Sequence, residues 1–378
     1  MNTPDKDAPS IAVLGTRGIP AKYGGFETFA EALAIGLVQK GCTVTVFCEQ
    51  GDEEPFDTYN GVHLVRIRAP RLGPLSTIVF DLKCLLAARS GFDIVYMLGY
   101  GAAPFCAIPR LFGRRVWINM DGVEWRRSKW SWAGRTYLRI MERVAVMVAS
   151  RVIADAAAIR DHLEARYGRL PNCDVIPYGA HVASGADVSA LAKFGNLTPG
   201  EYYLVVCRLE PENHVREIIE GFAASGSPYP LVIVGGTAEP NPYVRTLLGL
   251  QSGHVRFVGA IYDQVLLGAL RFHSRAYIHG HSVGGTNPSL LEAMGAGNVV
   301  VAHDNPFNRE VLGEGGRYFA GPAQLADAIR QLDNLDGAER RAISGRVRAR
   351  VTESYSWQKI VDDYWALIRK ECAVGGES

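Results

Sequence analysis

Two α/β domains built on parallel sheets are what this chain predicts. Three observations carry that expectation: the length, the alternation of short β-rich runs with longer helical patterns, and one polar interruption near the middle. At 378 residues the chain exceeds one ordinary core and suits two domains of typical size. With 48% of its residues apolar and 21% charged, each half can bury a core of its own.

The first half reads as buried strands at Ile11 to Gly15, Thr43 to Cys48, Asp93 to Leu98, Arg115 to Asn119 and Arg151 to Ala154, with amphipathic helices between them. The helix over Phe26 to Lys40 puts Phe26, Phe29, Leu33 and Leu37 on one stripe and stops at Gly41, a residue suited to a left-handed cap. This alternation is βαβ grammar. The stretch from Gly179 to Gly200 is rich in Ala, Ser and Gly and has no sustained apolar period, which predicts an interdomain linker. Strands resume at Tyr202 to Cys207, Leu231 to Gly235, Val255 to Val258, Ala276 to His279 and Val299 to Ala302. A last helical pattern, Trp357 to Glu371, follows the second sheet and is free to pack back on the first domain. The expected divisions are 1–180, 200–355, and a C-terminal helix and tail over 356–378.

Composition narrows the function. The formal net charge is only +1, which argues against a nucleic-acid binder, since those are built on a large cationic excess. Seven scattered cysteines, with no paired spacing, fit a reduced cytoplasmic compartment and no zinc site. The acidic, polar first ten residues lack a signal-peptide pattern, and no uncharged stretch is long enough to span a bilayer.

Two glycine-rich loops stand where open α/β sheets bind ligands. The first, Gly15-Thr16-Arg17-Gly18-Ile19-Pro20 followed by Tyr23-Gly24-Gly25-Phe26-Glu27, opens directly into a helix. Its candidate substrate contacts are Gly15, Arg17, Gly24, Gly25 and Phe26, because free amides and the helix dipole favour an anion there. A plain turn needing glycine for geometry explains it equally well. The second loop runs from Gly280 through Gly284, Gly285, Thr286 and Asn287 to Pro288 and Ser289, where a helix starts. Its amides would cradle a diphosphate, and Glu292, one turn on, is placed to accept hydrogen bonds from ribose hydroxyls. Arg208, directly after the strand that ends at Cys207, puts a guanidinium at the same sheet edge; a structural ion pair with Glu210 or Glu212 is the alternative.

Cys207-Arg208-Leu209 and Glu292-Ala293 resemble the donor-site motifs of the retaining GT-B glycosyltransferases of glycosyltransferase family 4. The front half, with Thr16-Arg17-Gly18-Ile19-Pro20, Tyr23-Gly24-Gly25-Phe26-Glu27 and Asp121-Gly122-Val123-Glu124-Trp125, looks like a bacterial rhamnosyltransferase branch of surface polysaccharide synthesis. The resemblance implies two Rossmann-like domains whose sheets face across a cleft, a nucleotide diphosphate sugar as donor, and a lipid-linked or saccharide acceptor. It implies neither cofactor nor metal. Arg208 and Glu292 then serve the donor, and Asp121 or Glu124 orients or deprotonates the acceptor hydroxyl, Asp121 being the choice over its reading as a turn residue.

Two positions depart from the family pattern. Gly284 stands where a glutamate is usual, and Asn213 where a lysine is usual, and both remain candidate substrate contacts. A lost charge-assisted hydrogen bond to a diphosphate is worth about 1.5–3 kcal/mol, so another cation is expected, with Arg17, Lys22, His214 and Arg309 as candidates. Loss of the glutamate suits a donor that lacks the corresponding hydroxyl, such as L-rhamnose carried on dTDP.

Between Arg114 and Arg151 stand nine basic residues against three acidic ones, interleaved with Trp125, Trp130, Trp132 and Tyr137. That mixture suits an anionic membrane surface, on the inner face of the plasma membrane; a solvated helix face is the plain alternative. Three other functions compete. A nicotinamide oxidoreductase would use Glu49 after the second strand, but its glycine fingerprint is missing. A non-catalytic sugar-nucleotide binder and a sugar-nucleotide epimerase share the expected fold.

Overall fold

A computed structural model describes residues 8–21, 24–51, 56–70, 73, 75–120, 122–195, 197–236 and 242–374. The chain divides into two compact units, one holding residues up to 126, 130–178 and those from 357 onward, the other 127–129 and 179–356.

In the first unit eight strands form one sheet: β1 (Ser10–Leu14), β2 (Thr43–Glu49), β3 (Thr58–Tyr59), β4 (Val62–Ile67), β5 (Ile94–Leu98), β6 (Arg115–Met120), β7 (Arg151–Ala154) and β8 (Cys173–Val175). Their order is β3-β4-β2-β1-β5-β6-β7-β8, parallel except for the β3–β4 hairpin. Strands β1 and β5 are buried on both faces because helices cover both sides, which is why they read as nearly unbroken hydrophobic runs, while β2 and β6 are buried almost throughout and admit a few polar residues. The chain moves outward from β1 to β2 and β4, then returns to β5 on the other flank. The direction of winding thus reverses between β1 and β5, the place where such sheets bind ligands.

Helix Gly25–Gln39 buries Phe29, Leu33 and Leu37. Gly36 lets helix Trp357–Val374 cross it closely: a β-carbon there would stand 2.3 Å from Val361 Cγ2. Ile360, Val361, Tyr364, Leu367 and Ile368 of the C-terminal helix are buried at helical spacing. Tyr364 shares a 2.7 Å hydroxyl contact with Tyr96, and Arg151 Nη2 meets Glu371 Oε1 at 2.6 Å.

The second unit has six parallel strands: β9 (Tyr203–Val206), β10 (Leu231–Val234), β11 (Val255–Gly259), β12 (Ala276–His279), β13 (Val300–His303) and β14 (Arg317–Phe319). Their order is β11-β10-β9-β12-β13-β14, so winding reverses between β9 and β12. Tyr203, Val205, Phe222, Ile233, Ile278 and Val301 are at the centre of its core.

The stretch expected as the interdomain linker contains a short helix. Val188–Phe194 forms a short helix capped by Asp187, whose Oδ1 accepts from Ser189 N at 2.9 Å. Ala190 and Leu191 are buried against helix Gln264–His273, and two apolar side chains within one turn suffice to order the segment.

Candidate donor site

The second unit gathers two loops at its β9/β12 reversal. After β9 the backbone passes under Gly235, where a β-carbon would come within 1.9 Å of the Cys207 carbonyl. Arg208 follows, its side chain 47% exposed and 3.6 Å from Glu210 Oε1, a loose contact that leaves the fork accessible. The short helix Pro211–Asn213 then folds back, and Asn213 Nδ2 donates to the Arg208 carbonyl at 2.7 Å. Asn213 Oδ1 lies 2.9 Å from His281 Nδ1, just past β12. Ser282 N donates to the Glu212 carbonyl at 3.0 Å. Gly280 permits this knitting, because a β-carbon there would stand 2.0 Å from the Asn213 carbonyl. The loop bearing Arg208 and the glycine-rich loop are therefore one framework.

Gly284 has φ 137°, a conformation that strains any residue with a β-carbon, so a glutamate at this position would be strained on this backbone. Thr286 is buried. Asn287 caps helix Pro288–Gly295, its Oδ1 accepting from Ser289 N at 2.9 Å. Behind the loop, burial pushes His279 down to about 3, with the nearby His303 adding to it, and holds His281 well below the usual histidine range. Both are neutral walls at physiological pH.

Several expected contacts have other partners. Ser289 Oγ donates to the Val206 carbonyl at 3.2 Å and lies 2.9 Å from Tyr277 Oη, so this hydroxyl ties helix to strand instead of reaching a substrate. Asn213, expected on the substrate, is 5% exposed with both ends of its amide engaged within the framework. Glu292, 34% exposed, is gripped at Oε2 by Arg271 Nη2 at 2.5 Å. Arg271 is 5% exposed and lies on helix Gln264–His273; its pairing with Glu292 was not anticipated, and nothing in its flanking residues signals it.

In the first unit Gly15 follows β1 at the winding reversal, where a β-carbon would come within 2.1 Å of the Leu98 carbonyl of β5. The anion cradle expected in this loop is filled by the protein itself. Glu27 Oε1 accepts from Arg17 N at 3.1 Å and Thr16 Oγ1 at 3.3 Å, and its Oε2 lies 2.1 Å from where a β-carbon on Gly24 would be. Gly25 begins the helix, Phe26 packs over Gly99, and Arg17 pairs with Glu49 at 3.0 Å. That pairing occupies the carboxylate an oxidoreductase would need for ribose. Glu124 Oε1 accepts from Trp130 Nε1 at 3.1 Å, and Glu124 N donates to Tyr100 Oη at 3.1 Å. Asp121 and Lys22 lie outside the described residues.

Part of the basic, aromatic stretch forms helix Trp132–Val148 of the first unit. Trp132 is 82% and Met147 70% exposed, Ile140 joins them, and Arg135, Arg139 and Arg143 are exposed between. Exposed Leu111 and Phe112 adjoin the helix end, where Arg110 Nη1 donates to the Val148 carbonyl at 2.6 Å. Glu142 on the same helix is buried, held by Trp125 Nε1 and Tyr167 Oη at 2.8 Å each. Among the described residues no helix is long and apolar enough to cross a membrane.

Residues 191–349, which include both loops of the site, match the family of glycosyl transferases group 1. The second unit is a glycosyltransferase domain. Residues 9–181 match a domain of unknown function, DUF1972. A phosphatidyl-myo-inositol mannosyltransferase of Mycolicibacterium smegmatis is 31% identical over 161 residues, which cover 41% of this chain and 40% of that protein, so the match spans less than half of the relative's length. The glycosyltransferase domain and the unit before it together share the GT-B fold of solved structures. Sucrose-phosphate synthase from Thermosynechococcus elongatus superposes with a TM-score of 0.80 at 18% identity, over 97% of this chain and 100% of that one. Anabaena HepE in complex with UDP and glucose gives 0.75 at 19% identity, over 96% and 99%.

Proposed function

We propose that this chain transfers a sugar from a nucleoside diphosphate donor to a lipid-linked or saccharide acceptor, with retention of anomeric configuration and without a metal or other cofactor. The observation that carries the reading is the joined pair of loops at the β9/β12 reversal, which brings an accessible Arg208 guanidinium to the framework holding the Gly284–Asn287 amides. As the sugar–phosphate bond breaks, charge builds on the diphosphate; preorganised amides and a guanidinium lower that barrier without reorganising. Glu292, its direction set by Arg271, takes the ribose hydroxyls through the carboxylate oxygen that Arg271 does not hold. Asp121 orients or deprotonates the acceptor hydroxyl.

Our reading of the donor is dTDP-L-rhamnose, within the rhamnosyltransferase branch of family 4 and cell-surface polysaccharide synthesis. Its support is Gly284, which brings no carboxylate to hold an additional hydroxyl. The acceptor end works in the cytoplasm against an anionic membrane. Trp132, Ile140 and Met147 supply apolar contact, and the exposed arginines between them supply charge complementary to lipid headgroups.

A panel of nucleotide sugars offered with a polyprenyl-diphosphate-linked sugar, scored by product mass, tests the chemistry. Acceptor-dependent transfer of rhamnose supports it. Equal turnover of 6-hydroxy sugars removes the rhamnose assignment, and donor conversion without acceptor points to an epimerase. Flotation on vesicles with and without anionic lipid tests the surface: binding that ignores anionic lipid overturns the membrane claim.

A further inference from the structure

Helix Trp132–Val148 buries Leu138, Met141, Glu142 and Ala145, the three-and-four spacing of an apolar stripe. Glu142 breaks that stripe: only 1% exposed, its carboxylate takes a place where the pattern calls for a hydrocarbon side chain. A charge is tolerated in such a place when bonds replace its water, and the bonds here are specific. Oε2 accepts from Trp125 Nε1 and Oε1 from Tyr167 Oη, each at 2.8 Å, while His162 Nε2 and Arg166 Nε stand 3.5 Å from the carboxylate.

Three of these partners lie on helix Ala157–Tyr167; the fourth, Trp125, belongs to the stretch after β6. Guanidiniums of Arg139, Arg166 and Arg126 stand 4.4, 5.2 and 5.4 Å from the centre of its indole, so the ring is held at its N–H and packed from around. The residue before it is Glu124, whose N donates to Tyr100 Oη and whose Oε1 accepts from Trp130 Nε1, both at 3.1 Å. Tyr137, on the same helix as Glu142, donates from Oη to the Gly101 carbonyl at 2.7 Å. One helix thus grips both loops that leave the first sheet after β5 and β6, and Glu142 is its buried hold on the second.

We propose that Glu142 is a positioning residue for sugar transfer: by anchoring Trp125 it sets where Glu124 and its neighbours meet the acceptor, without touching substrate itself. A leucine would fill much of the same space but leave the indole free to turn, whereas a bonded carboxylate fixes one orientation of the ring. Transfer is sensitive to such freedom, since a displacement of about 1 Å at a reacting group costs up to about a hundredfold in rate. Donor binding belongs to the loops of the second unit and does not pass through Glu142. The inference rests on the reading of the stretch after β6 as the acceptor loop.

Steady-state kinetics of the full chain test it, with a polyprenyl-diphosphate-linked sugar varied as acceptor and dTDP-rhamnose, or in parallel UDP-glucose, as donor. Glu142→Leu and Trp125→Phe are each expected to lower kcat/KM for the acceptor by about tenfold or more, while donor affinity by calorimetry stays within about twofold of the wild type. The double variant loses no more than the worse single one, because both remove the same link. Glu142→Gln keeps an oxygen for Trp125 and an N–H for Tyr167, and holds kcat/KM within about threefold of the wild type. A role confined to packing would lower the melting temperature and leave acceptor kinetics alone. Should Glu142→Leu fail to fold, Trp125→Phe carries the test, since it keeps an aromatic ring and removes the bonding N–H. Acceptor kinetics within about twofold of the wild type in Trp125→Phe, or single losses that multiply in the double variant, overturn the proposal. Glu124→Gln and Asp121→Asn separate the two layers: if either loses acceptor turnover while Trp125→Phe keeps it, only this inference fails, whereas normal turnover in both removes the acceptor loop itself.

Discussion

Replacing Glu292 by alanine should destabilise the protein as well as weaken donor binding, and the structure sets the size of the first effect. Arg271 is 5% exposed, and Glu292 Oε2 meets it at 2.5 Å, while Ser289 Oγ offers only a neutral contact at 3.3 Å. Removing the carboxylate strands a buried guanidinium, a change that typically costs about 3–5 kcal/mol. At about 2–4 °C per kcal/mol for a domain of this size, the melting point should fall by about 6–20 °C. The double variant Arg271→Met with Glu292→Leu removes both charges at similar volume and should restore most of that stability. Calorimetry and donor titration on all three proteins separate structure from binding. Because the same carboxylate is assigned to the ribose, the double variant should regain its fold without regaining nucleotide affinity. A loss below about 1 kcal/mol in Glu292→Ala would refute the reasoning about Arg271, and recovery of affinity in the double variant would refute the ribose assignment.

Acid should weaken the second unit through its buried histidines. His279 titrates near 6.5 when unfolded but is held at about 3 when folded, so its contribution is present above about pH 6.5 and drains away as pH falls toward 3. Between about pH 7.5 and 5.5 that amounts to on the order of 1 kcal/mol, and urea unfolding of His279→Phe should show a loss smaller by this amount than the wild type. Gly280→Ala should cost at least about 2 kcal/mol and lower donor affinity, because its methyl would press on the Asn213 carbonyl from 2.0 Å; stability and affinity equal to the wild type would contradict the tight joining of the two loops.

Much of the fold was legible because the strands that matter most are buried on both faces. β1, β5, β9 and β10 read as nearly continuous apolar runs, and parallel topology follows from the helices between them. The edges were not legible. β4 sets exposed His63 between buried Val62 and Leu64 and then runs on through three half-buried residues, and β8 and β14 are three residues long with little apolar signal. The β3–β4 hairpin did carry a signal that went unread: Asn60 at φ 48° and Gly61 at φ 85° are the left-handed pair of a tight turn. At the site, sequence position located Arg208 and the glycine-rich loop, because strand ends determine where loops emerge. It did not reveal which polar side chains turn inward. Asn213 and Ser289 stand among ligand candidates yet bond to backbone, and Glu27 supplies the loop at Gly15 with an internal carboxylate where an outside anion was expected. Such choices depend on partners distant in sequence, and local pattern carries no record of them.

A crystal structure of the full chain with a bound nucleotide sugar tests the central claim most directly. The account predicts diphosphate oxygens about 2.7–3.2 Å from the Arg208 guanidinium and from at least two amides of the Gly284–Asn287 loop. A diphosphate bound elsewhere, with Arg208 turned away from it, would contradict the account.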